Sequence, residues 1–211
     1  MKITKLGHCC LLVEVNGLRI LTDPGTYSEQ QNSLTDVDIV LITHEHPDHF
    51  HVESVKKIIS NNPSVRIITN SAVGKLLEQD EIEFQILEKG SAELQGVIFE
   101  AFGEKHAYMY STIPPVQNTG YFIDNKLFYP GDALTNPNKP VEVLALPVAG
   151  PWMKLSEAID YALEVKPSKC FPVHDGIMKI VGGVIHKLPE TVLKSAGIEF
   201  VVIDLDHSLE F

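Results

Sequence analysis

Hydrophobic positions in this chain fall in short runs separated by turn residues. Residues 11–15 and 18–21 are mostly apolar and flank Asn16-Gly17, which favours a tight hairpin because both residues tolerate positive φ. Residues 37–43, Val-Asp-Ile-Val-Leu-Ile-Thr, contain no breaker and predict a buried strand. From residue 51 to 61 the period changes, with Val52, Val55, Ile58 and Ile59 spaced for one face of a helix. A short strand over 65–69 and a short helix over 72–77 follow. Strands are predicted at 82–87, 97–102, 120–123 and 126–129, the last two joined through Asp124-Asn125. Residues 141–146 form another buried run. Ser156 is then expected to cap a helix reaching residue 165, with Ala158, Ile159, Ala162 and Leu163 inward. A strand at 169–173, a short helix at 189–195 and a closing strand at 200–205 complete the pattern.

Strands that come in hairpins and also alternate with helices predict an α+β fold. Two packed sheets with helices outside them, a four-layer αββα sandwich, accommodate this mixture. No linker, repeat or change of composition interrupts residues 1–211, which read as one domain.

Composition narrows the function. With 44% hydrophobic residues, the 211-residue chain can build a substantial core. It carries 17 basic and 28 acidic residues, a net charge of −11. Such a surface repels polyanions, so no long nucleic-acid partner is expected; a small anionic substrate stays compatible if cations supply local positive charge. Cys9, Cys10 and Cys170 have no zinc-ribbon spacing and read as small buried hydrophobes in a reducing compartment. The first apolar stretch is short and interrupted by Glu14, which is poor for a signal peptide, and no run spans a bilayer. The expectation is a soluble cytoplasmic protein with no membrane partner; an oligomer stays open.

The candidate chemistry is concentrated in residues 44–49, His-Glu-His-Pro-Asp-His. His44, His46, Asp48 and His49 place four donors within six positions, directly after the predicted strand at 37–43. Loops at strand ends present chemistry from a rigid scaffold, and imidazole with carboxylate suits zinc and similar divalent metals. His106, Asp132 and His174 also follow predicted strands. Singly, these read as a loop histidine, a turn aspartate beside glycine and a core histidine; their common placement makes one convergent rim.

The order His-x-His-x-Asp-His, then a later His, an Asp in Gly-Asp and a last His resembles the metallo-β-lactamase superfamily along nearly the whole chain. The resemblance implies the αββα fold and two divalent metal ions at one edge, with zinc the default and manganese or iron open. It implies that His44, His46 and His106 bind one metal, that Asp48, His49 and His174 bind the other, and that Asp132 bridges them. Asp48 and Asp132 are then the catalytic carboxylates, Asp48 also orienting or relaying a proton. Gly7-His8-Cys9-Cys10, residues 146–151 and Phe171-Pro172-Val173-His174 are similar to small metal-dependent hydrolases related to ascorbate-6-phosphate lactonase. That branch is expected to carry an aromatic residue after the last histidine, where this chain has Asp175-Gly176.

The resemblance implies hydrolysis of a small ester, lactone or phosphoester. The alternatives are a non-catalytic metal-binding protein of the same fold, a di-iron redox protein and a nuclease. Asp23 reads either as a carboxylate orienting a metal-bound histidine or as a turn aspartate before Pro24-Gly25. His8 reads as facing the site or as structural. Lys105, Tyr108, Tyr110, Trp152 and Lys154 flank the candidate ligands as prospective substrate contacts. His51 is read as a helix cap or solvent-facing, and His186 and His207 as surface or loop residues.

Overall fold

The computed structural model describes residues 1–178 and 183–211. The strands are β1 (Lys2–Gly7), β2 (Cys10–Val15), β3 (Leu18–Thr22), β4 (Ile39–Leu41), β5 (Arg66–Thr69), β6 (Gln85–Ile86) and β7 (Gly90–Leu94). They continue as β8 (Val97–Phe102), β9 (Gly120–Ile123), β10 (Leu127–Tyr129), β11 (Val143–Pro147), β12 (Lys169–Val173), β13 (Glu199–Phe200) and β14 (Ser208–Glu210). The helices are α1 (Val52–Asn61), α2 (Ser71–Gln79), α3 (Leu155–Val165) and α4 (Val184–Ser195). One sheet runs β14-β1-β2-β3-β4-β5-β6 and the other β13-β12-β11-β10-β9-β8-β7.

Alternation along each strand builds the layers. In β2, Leu11, Val13 and Val15 face the space between the sheets, while Cys10 and Leu12 face Val55, Ile58, Val73 and Leu77 of α1 and α2. In β9 and β10, Tyr121, Ile123, Leu127 and Tyr129 turn inward, while Phe122 and Phe128 pack toward Ala158, Ile159 and Ala162 of α3 and Leu193 of α4. Both faces of these strands are covered, which is why they read as continuous apolar runs rather than alternating ones. The four layers are helix, sheet, sheet, helix, as expected.

Two turns follow their sequence signals closely. Asn16 and Gly17 have φ of 49° and 84°, and Asp124 and Asn125 have 54° and 51°, the paired left-handed geometry of a tight hairpin. Parallel pairing of β3 with β4 and β4 with β5, and of β10 with β11 and β11 with β12, brings the carboxyl ends of these strands to one rim.

Several boundaries differ from expectation. The strand expected at 37–43 is regular over Ile39–Leu41; Asp38 and Ile42 still bond to neighbouring strands, but the Thr43 N–H leaves the ladder for the Asp23 carboxylate. Ser156 is exposed and does not cap α3; Lys154 holds that place, its N–H donating to Glu157 at 2.6 Å. The helix expected at 189–195 begins at Val184, so Pro189 lies inside it. Of the predicted 200–205 strand only Phe200 is strand, in β13; the chain then crosses to the other sheet, where Asp206 N–H donates to Lys5 O. β1, β7 and β14 were not expected, and β6 is a two-residue exposed edge. Among the described residues no helix is long and apolar enough to cross a membrane.

Candidate metal centre

All seven candidate ligands meet at the rim formed by these strand ends. His44, His46 and His49 follow β4, Asp132 follows β10 and His174 follows β12. Donor atoms of His44, His46, His106 and Asp132 lie within 4.8 Å of one another. A second such group is His8, Cys9, His49 and His174. Asp132 joins the two, with its oxygens 3.1 Å from His49 Nε2, 3.3 Å from His106 Nε2, 2.9 Å from His174 Nε2 and 4.0 Å from His44 Nε2. Asp48 Oδ2 sits beside the second group, 3.2 Å from His8 Nε2 and 3.4 Å from His174 Nε2.

Local chemistry fixes how the imidazoles face. Asp23 is fully buried, and its carboxylate accepts from Thr43 N (2.8 Å), Thr43 Oγ1 (2.8 Å), Tyr129 OH (2.6 Å) and His49 Nδ1 (2.7 Å). This aspartate therefore orients a site histidine. The Thr43 hydroxyl gives its only proton to Asp23, so at 2.9 Å it accepts from His44 Nδ1. His106 Nδ1 donates to Ala107 O at 2.5 Å. In all three rings Nδ1 is bonded away from the rim and Nε2 faces it; Nε2 of His49 and His106 is unpartnered there, and Nε2 of His44 lies 3.1 Å from His46 Nδ1. Trp152, read from sequence only as a prospective substrate contact, is buried and donates its indole N–H to Asp132 Oδ2 at 2.9 Å.

The backbone is held in unusual shapes here. His8, Asp23 and His174 have φ of 45°, 38° and 61°, a region costing a non-glycine residue roughly 1 kcal/mol or more. Gly25 passes so close to the histidine loop that a Cβ would lie 1.9 Å from Asp48 O and 2.5 Å from His49 N. Gly131, at φ 64°, lets the next peptide reach Asn118, whose Oδ1 accepts from Asp132 N at 3.0 Å. Thr43, Asn118, Tyr129 and Gly25 carried no chemical signal in the sequence, because each acts through a partner distant in the chain.

Burial and crowded charge set the electrostatics. Burial first, and then the neighbouring His49, hold His44 well below the ordinary histidine range. Burial would lower His49 too, but Asp132, Cys9 and Asp23 around it raise it well above that range. His174 is likewise pushed up to about 10, with Cys9, Asp132 and Asp48 overcoming burial. Burial would raise Asp132, yet His49, His106 and His174 hold it well below the carboxylate range. Cys9, read from sequence as a small buried hydrophobe, is buried and free. Burial would raise its thiol, but His8, His49 and His174 draw it down to about 6.

Other candidates separate clearly. Lys105, Tyr108, Tyr110 and Lys154 are exposed and do not line the cleft that opens onto the ligands. His51 takes the N-cap position of α1, its ring bonded to Ser54 Oγ at 3.0 Å. His186, expected at the surface, is buried and bonded at 3.1 Å to Asp175, which also pairs with buried Lys5 at 2.6 Å. A cleft of about 190 Å³ opens onto the ligands, lined by His46, Asp48, His106, Met109, Trp152 and His174 among others. A larger depression of about 370 Å³ along Glu190, Lys194 and Phe200 holds no such donor group among the described residues.

Residues 2–174 match the family described as the beta-lactamase superfamily domain. The chain belongs to the metallo-β-lactamase superfamily. Among similar proteins, Protein Rv0786c of Mycobacterium tuberculosis is 35% identical over 183 residues, covering 84% of this chain and 85% of its own. The UPF0173 metal-dependent hydrolase NEQ378 of Nanoarchaeum equitans is 24% identical over 226 aligned positions that cover both chains completely. Igni18, a metallo hydrolase from Ignicoccus hospitalis, superposes with a TM-score of 0.76 at 21% identity, covering 100% of this chain and 98% of that one. That superposition agrees with the superfamily's four-layer fold.

Proposed function

We propose that this chain is a metal-dependent hydrolase acting on a small ester, lactone or phosphoester through two divalent cations. His44, His46 and His106 would hold one cation, Asp48, His49 and His174 the other, and Asp132 would bridge them. The observation that carries this reading is the set of bare donors at the rim. His49 Nε2, His106 Nε2, His174 Nε2 and Asp132 Oδ1 are buried with no hydrogen-bond partner among the described residues. Each such atom costs about 1–3 kcal/mol when unpaired. Their mutual approach without hydrogen-bond geometry fits cations shared between them. Imidazole and carboxylate favour zinc, with manganese or iron also accommodated.

Bound there, divalent cations supply Lewis acidity that polarises a substrate carbonyl or phosphoryl oxygen and acidifies water. The chain's own residues do the rest. Asp23, Thr43 and the Ala107 carbonyl keep Nε2 of His49, His44 and His106 aimed at the rim. Trp152 steadies Asp132. Asp48 is half-buried at the cleft and bonded to His8, so it can orient the attacking water. The cleft volume suits a small substrate. The hydrolase name carried by relatives such as NEQ378 supports the reaction class, and three free cysteines fit a reducing, cytoplasmic setting.

The test is a panel of carboxylic esters, lactones and phosphodiesters offered to the zinc-loaded protein and to the double variant His46→Ala, Asp132→Ala. Metal content and turnover of at least one class should vanish together in the variant. Turnover at the wild-type rate by the metal-free variant would place the activity elsewhere. Zinc binding with no turnover of any class would favour a non-catalytic binding protein.

A further inference from the structure

The cysteine at the β1–β2 turn is placed as a ligand rather than as packing. Consecutive strand residues point to opposite faces. Cys10 accordingly packs with the α1 and α2 layer, and Cys170 with α3 and α4. Cys9 alone turns into the space between the sheets, on the side where the rim closes it. There its sulfur shares a group with ring nitrogens of His8, His49 and His174, all within 4.8 Å of one another. Two further observations point to a ligand. His49 Nε2 and both ring nitrogens of His174 are buried and unpartnered among the described residues, and so is His8 Nδ1. Zinc–sulfur and zinc–nitrogen bonds of about 2.3 and 2.1 Å put neighbouring ligand atoms of a tetrahedral ion about 3.4–3.6 Å apart, so a group already within 4.8 Å closes on a cation with shifts of up to about an ångström.

We infer that the Cys9 thiolate is a further ligand of the second cation, beside Asp48, His49 and His174. This rests on the two-metal reading and specifies it. His8 is then a positioning residue: its Nε2 bonds Asp48 Oδ2, leaving the sulfur to complete the coordination. On binding, the S–H bond breaks, the sulfur lone pair goes to the cation and the proton leaves to solvent. A soft thiolate beside imidazoles selects zinc or another thiophilic ion over manganese at this position, while the His44, His46, His106 position stays free of sulfur.

X-ray absorption on the zinc-loaded wild-type chain tests this without any variant. The expected zinc shell contains one sulfur at about 2.3 Å for every two metals. Cobalt substitution gives a second readout. The wild-type protein should show a near-ultraviolet thiolate-to-cobalt charge-transfer band. That band should be lost in Cys9→Ser and retained in Cys10→Ser and Cys170→Ser. Stoichiometric metal with a shell of nitrogen and oxygen only, or a band that survives Cys9→Ser, would overturn the inference and leave the two-metal reading standing. Failure of the wild-type chain to bind metal would overturn both.

Discussion

Asp23 illustrates how one buried residue can organise the site. Its carboxylate binds the Thr43 backbone and hydroxyl, the Tyr129 hydroxyl and the His49 ring, so it couples the end of β4 to β10 and sets a ligand's tautomer at once. Asp23→Asn should keep the volume but oppose an amide N–H to one of these donors. Zinc affinity measured by competition with a chromophoric chelator should fall about 10–100-fold. Unchanged affinity would remove Asp23 from the site's support. Asp175 makes a different, structural contribution. Burial would raise it, but the bonded His186 and the Lys5 ammonium hold it below the ordinary carboxylate range. A depressed folded value means that its stabilisation is present above the unfolded value of about 3.9 and is lost as pH falls through the folded one. Asp175→Asn should therefore cost about 3–5 kcal/mol in urea unfolding at neutral pH, with the gap to wild type narrowing below about pH 4. A gap that stayed constant with pH would contradict the pairing. The seven candidate donors were legible because chelating side chains stood together or directly followed apolar runs. Thr43, Asn118 and the orientation of Cys9 were not, because their roles exist only once distant strands meet.

The elements matter here for where they end. Close approach of the residue 23–25 turn to the histidine loop is permitted by Gly25, where a Cβ would overlap the Asp48 carbonyl. Gly25→Ala should destabilise the protein by about 1–3 kcal/mol and weaken metal binding by displacing Asp48 and His49. Calorimetry of zinc binding with the wild-type affinity would contradict that geometry. Strands buried on both faces, such as β2, β4 and β11, were readable as apolar runs. β7 and β14 escaped notice because edge strands keep a polar, solvent-facing side: Ser91 and Glu93 in one, Ser208 and Glu210 in the other. The start of α4 was obscured by Pro189, which reads as a helix start but here sits one turn further in, after Gly183 O accepts from His186 and Lys187.

Across the whole molecule, the rim joins two sheets that also meet through their apolar core and through polar contacts such as Lys5 with Pro172 O and Asp175. His8, Asp23 and residues 44–49 come from one sheet, and His106, Asp132 and His174 from the other. Cations bound between them would favour the folded state by mass action, by about 4 kcal/mol at a free concentration a thousand times Kd. Chelation should lower the melting temperature, and added zinc should restore it in a concentration-dependent way; a melting temperature indifferent to chelator would separate the rim from stability. The layered architecture followed from the strand and helix pattern, whereas the meeting of residue 8 with residue 174 depends on the closing of the sandwich. Metal stoichiometry tests the central claim most directly. Stripped wild-type protein titrated with zinc and analysed for bound metal should saturate at two ions per chain, and the His46→Ala, Asp132→Ala double variant should lose that capacity. Saturation of the wild type at zero, or an undiminished two ions in the double variant, would contradict it.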